Sequence, residues 1–287
     1  MFNNRLLFGI VMALILLGIV LLDAKLDGSF SSSVENKPVQ GTGLAILIAL
    51  VAFPALSEIG GLIRQAGARI FKWIAIPSSM LLATAFYWPA FSARPVLFFG
   101  FYLAFVLAGT VVGVFFMQAV LFRTEGTIRN CSATLFSVLY LGLLSGFVMA
   151  IRVDFGPWAL LTFIFTIKSA DIGAYYVGSR FGKRKMIPSI SPGKTWEGLA
   201  GGIVLASIVS CVFSTLFGIM APAAAILFGA VFAVLGQLSD LAESMIKRDA
   251  SAKDSSHSIP GFGGILDVID SILGTAPVAY AVLYFMK

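Results

Sequence analysis

A chain of 287 residues that is 59% hydrophobic and only 12% charged is excluded from the soluble domains, which run at about 45–50% apolar and about 25% charged. The formal charge of +6 in so apolar a chain is not a nucleic-acid footprint until its basic residues are placed. Cys131 and Cys211 sit in separate apolar runs without metal-ligand spacing, which excludes a zinc site and a disulfide framework.

Arg5 precedes an apolar run, Leu6–Leu22, about one bilayer span long and longer than the h-region of a signal peptide. It reads as a retained first helix. Further windows follow at 43–63, 73–90, 96–122, 131–151, 157–178, 198–219, 222–239 and 263–286. The expected architecture is therefore all-α and polytopic, with about nine transmembrane helices. Pro54 predicts a kink in the second, where Ser57, Glu58 and Gly60 follow. The segment 23–42 reads as an exposed polar loop. No repeat or soluble domain is visible, so 1–287 is expected to form one membrane domain. Residues 1–155 are supported by hydropathy alone, and 156–287 carry the polar motifs.

With the N-terminus cytoplasmic, 14 of the 20 basic residues fall on that face, in Arg5 and the connections 64–72, 123–130, 179–197 and 240–262. This places both charge-rich loops in the cytoplasm and the polar site at the cytoplasmic edge of the C-terminal helices.

Three stretches hold chemistry. Lys168 and Asp171, three residues apart inside a span, share a helix face, and such charges usually pair or line a wet cavity. The basic loop that follows contains Ser191-Pro-Gly-Lys-Thr-Trp-Glu-Gly198. Lys194 and Thr195 there are candidate phosphate ligands, but position 188 is proline, so the loop is no P-loop. Between Ser239 and Ser271, five aspartates and one glutamate accompany Lys247, Arg248 and Lys253. Asp240, Ser244, Lys247 and Arg248 recur at helical spacing, and Asp267 and Asp270 share a face of the next helix. Carboxylates without cysteine or a histidine cluster suit a hard cation, Mg²⁺ or Mn²⁺.

These residues resemble the integral-membrane phosphatidate cytidylyltransferases. The family's S-x-x-K-R-x4-K-D is matched by Ser244, Lys247-Arg248 and Lys253-Asp254. Its P-G-H-G-G-x-x-D-R-x-D is matched by Pro260-Gly261, Gly263-Gly264, Asp267 and Asp270, with Phe262 and Val268 in place of the common histidine and arginine. Asp171, Ala174-Tyr175, Gly178 and Phe181-Gly182-Lys183 resemble a third motif, and Ser191-Pro192 with Lys194–Gly198 a fourth.

The resemblance implies transfer of cytidylyl from CTP to phosphatidate, giving CDP-diacylglycerol and pyrophosphate. On that basis Asp240 and Asp267 are expected to bind a catalytic Mg²⁺ (or Mn²⁺), with a second cation allowed. Lys247, Arg248, Lys253 and Lys194 are expected to hold phosphate oxygens. Asp171, Asp254 and Asp270 would orient those lysines or complete the metal shell, and Ser244 and Thr195 would line the substrate site. The expected partners are CTP, phosphatidate and the bilayer of the cell membrane, with a homodimer allowed and no nucleic acid. A CTP-dependent polyprenol kinase remains an alternative, and an ion-coupled transporter a more distant one, because no matched halves are visible.

Overall fold

The structure, a computed structural model, describes residues 2–29, 39–256 and 263–286, with the backbone alone for residues 2–10. It is helical nearly throughout. Among the described residues, six helical stretches are long and apolar enough to cross a membrane, so the chain is an all-α, multi-pass membrane protein. It divides into two compact units: residues 1–154 with 249–268, and residues 155–248 with 269–287.

The first unit holds α1 (Phe2–Leu26), α2 (Thr42–Gln65), α3 (Lys72–Ala83), α4 (Pro95–Leu121), α5 (Thr127–Val138) and the start of α6 (Leu144–Phe181). Its core is built from Leu56, Ile59 and Leu62 of α2 with Leu82, Leu141, Met149 and Ile151, all under about 2% exposed. The window expected to span at 73–90 is helical only over the 12 residues of α3. At 1.5 Å per residue that is about 18 Å, short of a hydrocarbon core of about 30 Å. The chain then turns, with Thr84 accepting from the Trp88 indole at 2.9 Å, and Trp88–Phe91 form a single 3-10 turn. Glycine lets α3 sit close to the following helices. A Cβ on Gly146 would stand 2.8 Å from the Leu82 carbonyl oxygen. Helix α2 runs through Pro54 without a break in its assigned span.

The windows 131–151 and 157–178 form one helical run, Thr127–Phe181, that includes a π-helical turn at Leu139–Leu143. The sequence break between them survives as a kink at Gly156, with φ 84° and ψ 178°. Pro157 disfavours helical geometry in the residue before it, and glycine accepts positive φ without strain.

The described ends of the loop expected to be exposed, 23–42, are instead drawn inward. Asp23 and Gln40 are buried, and Arg152 is fully buried. One Arg152 nitrogen, Nη2, lies 3.1 Å from Asp23 and 2.7 Å from Asp27, and donates to Ser29 Oγ at 3.1 Å. The backbone N–H groups of Gly43 and Gly41 donate to Asp23 and Asp27.

The second unit holds the rest of α6, a hairpin of β1 (Lys185–Ile187) and β2 (Ser191–Thr195), α7 (Trp196–Phe217), α8 (Pro222–Asp249) and most of α9 (Leu266–Met286). The strands are antiparallel, pairing Lys185 with Thr195, and Ile187 with Ser191. Its helices meet through small residues, the usual means of close backbone approach in lipid. Ala170 of α6, Ala206 of α7 and Ala233 of α8 form one buried cluster. A Cβ on Gly202 would stand 2.8 Å from the Ala170 carbonyl oxygen, and one on Gly229 2.6 Å from that of Ala206.

Candidate functional site

Helices α6, α8 and α9 and strand β2 bring seven ionisable side chains of the second unit within electrostatic reach of one another. Lys168 Nζ is 3.2 Å from Asp171 Oδ2 and donates to Ser271 Oγ at 2.8 Å. Lys194, at the end of β2, donates to Asp240 Oδ2 and to the Gln237 carbonyl oxygen, each at 3.0 Å. Lys247 pairs with Glu243 one helical turn back. Asp270 is buried, and Ser239 Oγ donates to its backbone carbonyl at 2.6 Å. The Asp240 charge is repelled by Asp171 and attracted by Lys194 and Lys168.

Three lysines thus face four carboxyl groups. Two carboxylate oxygens, Asp171 Oδ1 and Asp240 Oδ1, are buried and accept no hydrogen bond among the described residues. A buried, unsatisfied carboxylate oxygen costs free energy unless something positive meets it. Among the described residues, no three His, Cys, Asp or Glu side chains stand together as a ready-made metal cage. Mg²⁺ does not require one, since it is commonly held by one or two carboxylates plus substrate phosphates and water. The donors on Asp171 and Asp240 fit such an ion.

The other residues expected from the sequence fall in varied places. Ser244 is half-buried on α8, and exposed Arg248 donates through Nε to the Ile190 carbonyl oxygen at 3.1 Å. Exposed Lys253, half-buried Asp254 and Asp267 belong to the first unit, so the expected metal pair Asp240 and Asp267 is divided between the two units. Asp267 Oδ2 accepts from Gly264 N–H at 2.7 Å, Ser255 Oγ at 2.8 Å and Ser255 N–H at 3.1 Å. Pro260, Gly261 and Phe262 lie outside the described residues.

Thr195 is accounted for by local structure. It is the N-cap of α7, 3% exposed, and its hydroxyl accepts from Gly198 N–H at 3.0 Å. Thr195→Ala is expected to cost about 1 kcal/mol of stability, as for other capping threonines, while Thr195→Ser holds the cap. Thermal unfolding of the two variants in detergent measures the difference.

Glu243 and Glu58 were not picked out from sequence as site residues. The i,i+4 spacing of Glu243 to Lys247 and i,i+3 to Asp240 was a usable signal for the first. Glu58 is marked only as a rare charge inside an apolar window after Pro54, which leaves its role open.

The family model described as "Cytidylyltransferase family" matches residues 3–286. A phosphatidate cytidylyltransferase of Bacillus subtilis is 40% identical over 169 residues, covering 57% of this chain and 62% of that protein. One from Haemophilus influenzae is 41% identical over 135 residues, 45% of this chain and 46% of that protein. One from Mycobacterium bovis is 35% identical over 157 residues, 54% of this chain and 51% of that protein. The matches thus span about half to three-fifths of these relatives' lengths.

Proposed function

Because the chain belongs to the cytidylyltransferase family, we propose that it transfers the cytidylyl group of CTP to phosphatidate, as the names of its relatives suggest. An oxygen of the lipid phosphate attacks the α-phosphorus of CTP. The bond from that phosphorus to the bridging oxygen of the β-phosphate breaks, and pyrophosphate leaves with the electron pair. A phosphate monoester is largely ionised at neutral pH, so no serine or histidine need be activated. The barrier lies in bringing two anions together and in charge on the leaving group, which fixed cations relieve.

The observation that carries this reading is the pair of unsatisfied buried oxygens on Asp171 and Asp240 beside Lys194 and Lys168. Asp240 and Asp171 would hold Mg²⁺ or Mn²⁺, and Asp267 stays in the proposal as a further carboxylate of the reaction. When bound, the ion would neutralise oxygens of the nucleotide triphosphate. An ammonium carries three N–H donors, and the two named partners of Lys194 leave one for a phosphate oxygen. Lys247 and Arg248, at the end of α8, and Lys253 would hold further phosphate oxygens. Ser244, Asp254 and Asp270 would orient those cations. The distribution of basic residues supports placing the N-terminus and these loops in the cytoplasm.

The test is incorporation of label from CTP into lipid by the purified protein in detergent with phosphatidate. Label at the α-phosphate is expected in lipid only with a divalent cation present, and label at the γ-phosphate only in pyrophosphate. Label passing from the γ-phosphate into a lipid alcohol would replace this reading with a lipid kinase, and no transfer at all would overturn it.

A further inference from the structure

Glu58 lies in α2, among apolar residues, and is only 8% exposed. Burying a carboxylate there is costly unless its oxygens are satisfied. They are satisfied from both ends of the connection between α8 and α9. Ser256 Oγ donates to Oε1 at 2.7 Å and Ser255 Oγ to Oε2 at 3.1 Å. From the other side, the backbone N–H groups of Ile265 and Leu266 donate at 3.1 and 2.9 Å. Those two N–H groups open helix α9 and have no carbonyl partner within it.

The same backbone holds Asp267. Ser255 Oγ is 2.8 Å from Asp267 Oδ2 and 3.1 Å from Glu58 Oε2. A hydroxyl has one proton, so the two carboxylates share it, and the orientation of Ser255 couples them. The paired glycines permit this approach. A Cβ on Gly264 would collide with Ser255 Oγ and Glu58 Oε2, and Gly263, at φ +105°, would place one 2.6 Å from Asp267 Oδ2.

We propose that Glu58 is a positioning residue of the reaction: through Ser255 and the first amides of α9 it sets the orientation of Asp267. This rests on the reading of Asp267 as part of the cytidylyl-transfer site. Glu58→Gln keeps one acceptor oxygen and puts an NH2 in place of the other, so one donor pair, Ser256 Oγ with Ile265 N–H or Ser255 Oγ with Leu266 N–H, loses its acceptor and the support of Asp267 loosens. Partners that orient a reacting or ligating group typically change activity by about 10–100-fold when lost.

The experiment compares wild type, Glu58→Gln, Glu58→Asp and Ser255→Ala as full-length protein in detergent. It reads kcat, KM for CTP, the Mg²⁺ concentration for half-maximal rate, and amide exchange at 264–268 without substrates. Glu58→Gln is expected to lower kcat by about 10–100-fold with KM for CTP unchanged and to raise the Mg²⁺ requirement. Exchange at Ile265 and Leu266 should quicken. Glu58→Asp should recover part of kcat, and Ser255→Ala should shift the Mg²⁺ requirement in the same sense. A Glu58→Gln variant with wild-type kcat overturns the role. So does a loss that follows only the folded fraction and is equal in Glu58→Asp. A wild type that makes no CDP-lipid overturns the reaction and the role together, whereas an active wild type beside a fully active Glu58→Gln overturns the role alone.

Discussion

Asp240→Asn is expected to lower CDP-lipid formation by about 10²–10³-fold, the usual cost of losing one preorganised electrostatic group, while leaving the protein as stable as wild type or more so. The two halves of this expectation have one origin. Asp240 is held beside Asp171, whose charge repels it, and one of its oxygens is buried without a donor among the described residues. Asparagine removes that repulsion and still accepts from Lys194, so folding loses little. The cluster, however, loses a carboxylate, and with it attraction for a hard cation. A site that gains stability when its charge is removed is under functional strain, as active sites often are. Label incorporation and thermal unfolding on the same preparation decide the matter. An Asp240→Asn variant with wild-type turnover, or one that is simply unfolded, would sink the assignment.

Arg152→Met should have the largest effect on stability, about 3–5 kcal/mol, because it leaves two carboxylates in a buried place with their cation gone. Asp23 and Asp27 are 4% and 9% exposed beside a fully buried guanidinium. Thermal unfolding of the variant, with Asp27→Asn as the milder companion, measures it. The same cluster fixes a pH dependence. Burial raises the Asp27 carboxyl, but the hydroxyl and N–H of Ser29, the Gly41 N–H and the Arg152 charge together hold it below the usual carboxylate range. A carboxyl lowered by folding stabilises above its unfolded pKa, about 3.9, and that stabilisation is lost as pH falls through the lower folded value. Unfolding curves should therefore show no change from this group between pH 5 and 8 and a loss below about 4 that Asp27→Asn abolishes.

The apolar windows were legible because lipid leaves the backbone few alternatives to a helix, and long uncharged runs announce themselves. What hydropathy does not carry is where a run stops for steric reasons. Residues 84–90 are as apolar as α3, yet the chain turns there around Thr84 and Trp88. Lys168, Asp171, Lys194, Asp240 and Asp270 stand out in the sequence because charge is rare in such a chain, and the structure gathers them within electrostatic reach. Thr195 stands in the same motif as Lys194, and its capping of α7 is not visible in the sequence. Glu58 stands out by the same rarity of charge, but its role is not legible, since its partners Ser255 and Leu266 lie about two hundred positions away in sequence.

Lys168 and Asp171 have a bearing on how the chain is made. Ser271, which receives the other hydrogen bond of Lys168, is synthesised 103 residues later, and Asp240 69 residues later than Asp171. Helix α6 must therefore enter the bilayer before either exists. Each charge alone costs about 2.5–3.5 kcal/mol at a helix centre on insertion scales. By carrying its own counterion three positions along, the nascent segment presents a neutral pair to lipid during that interval.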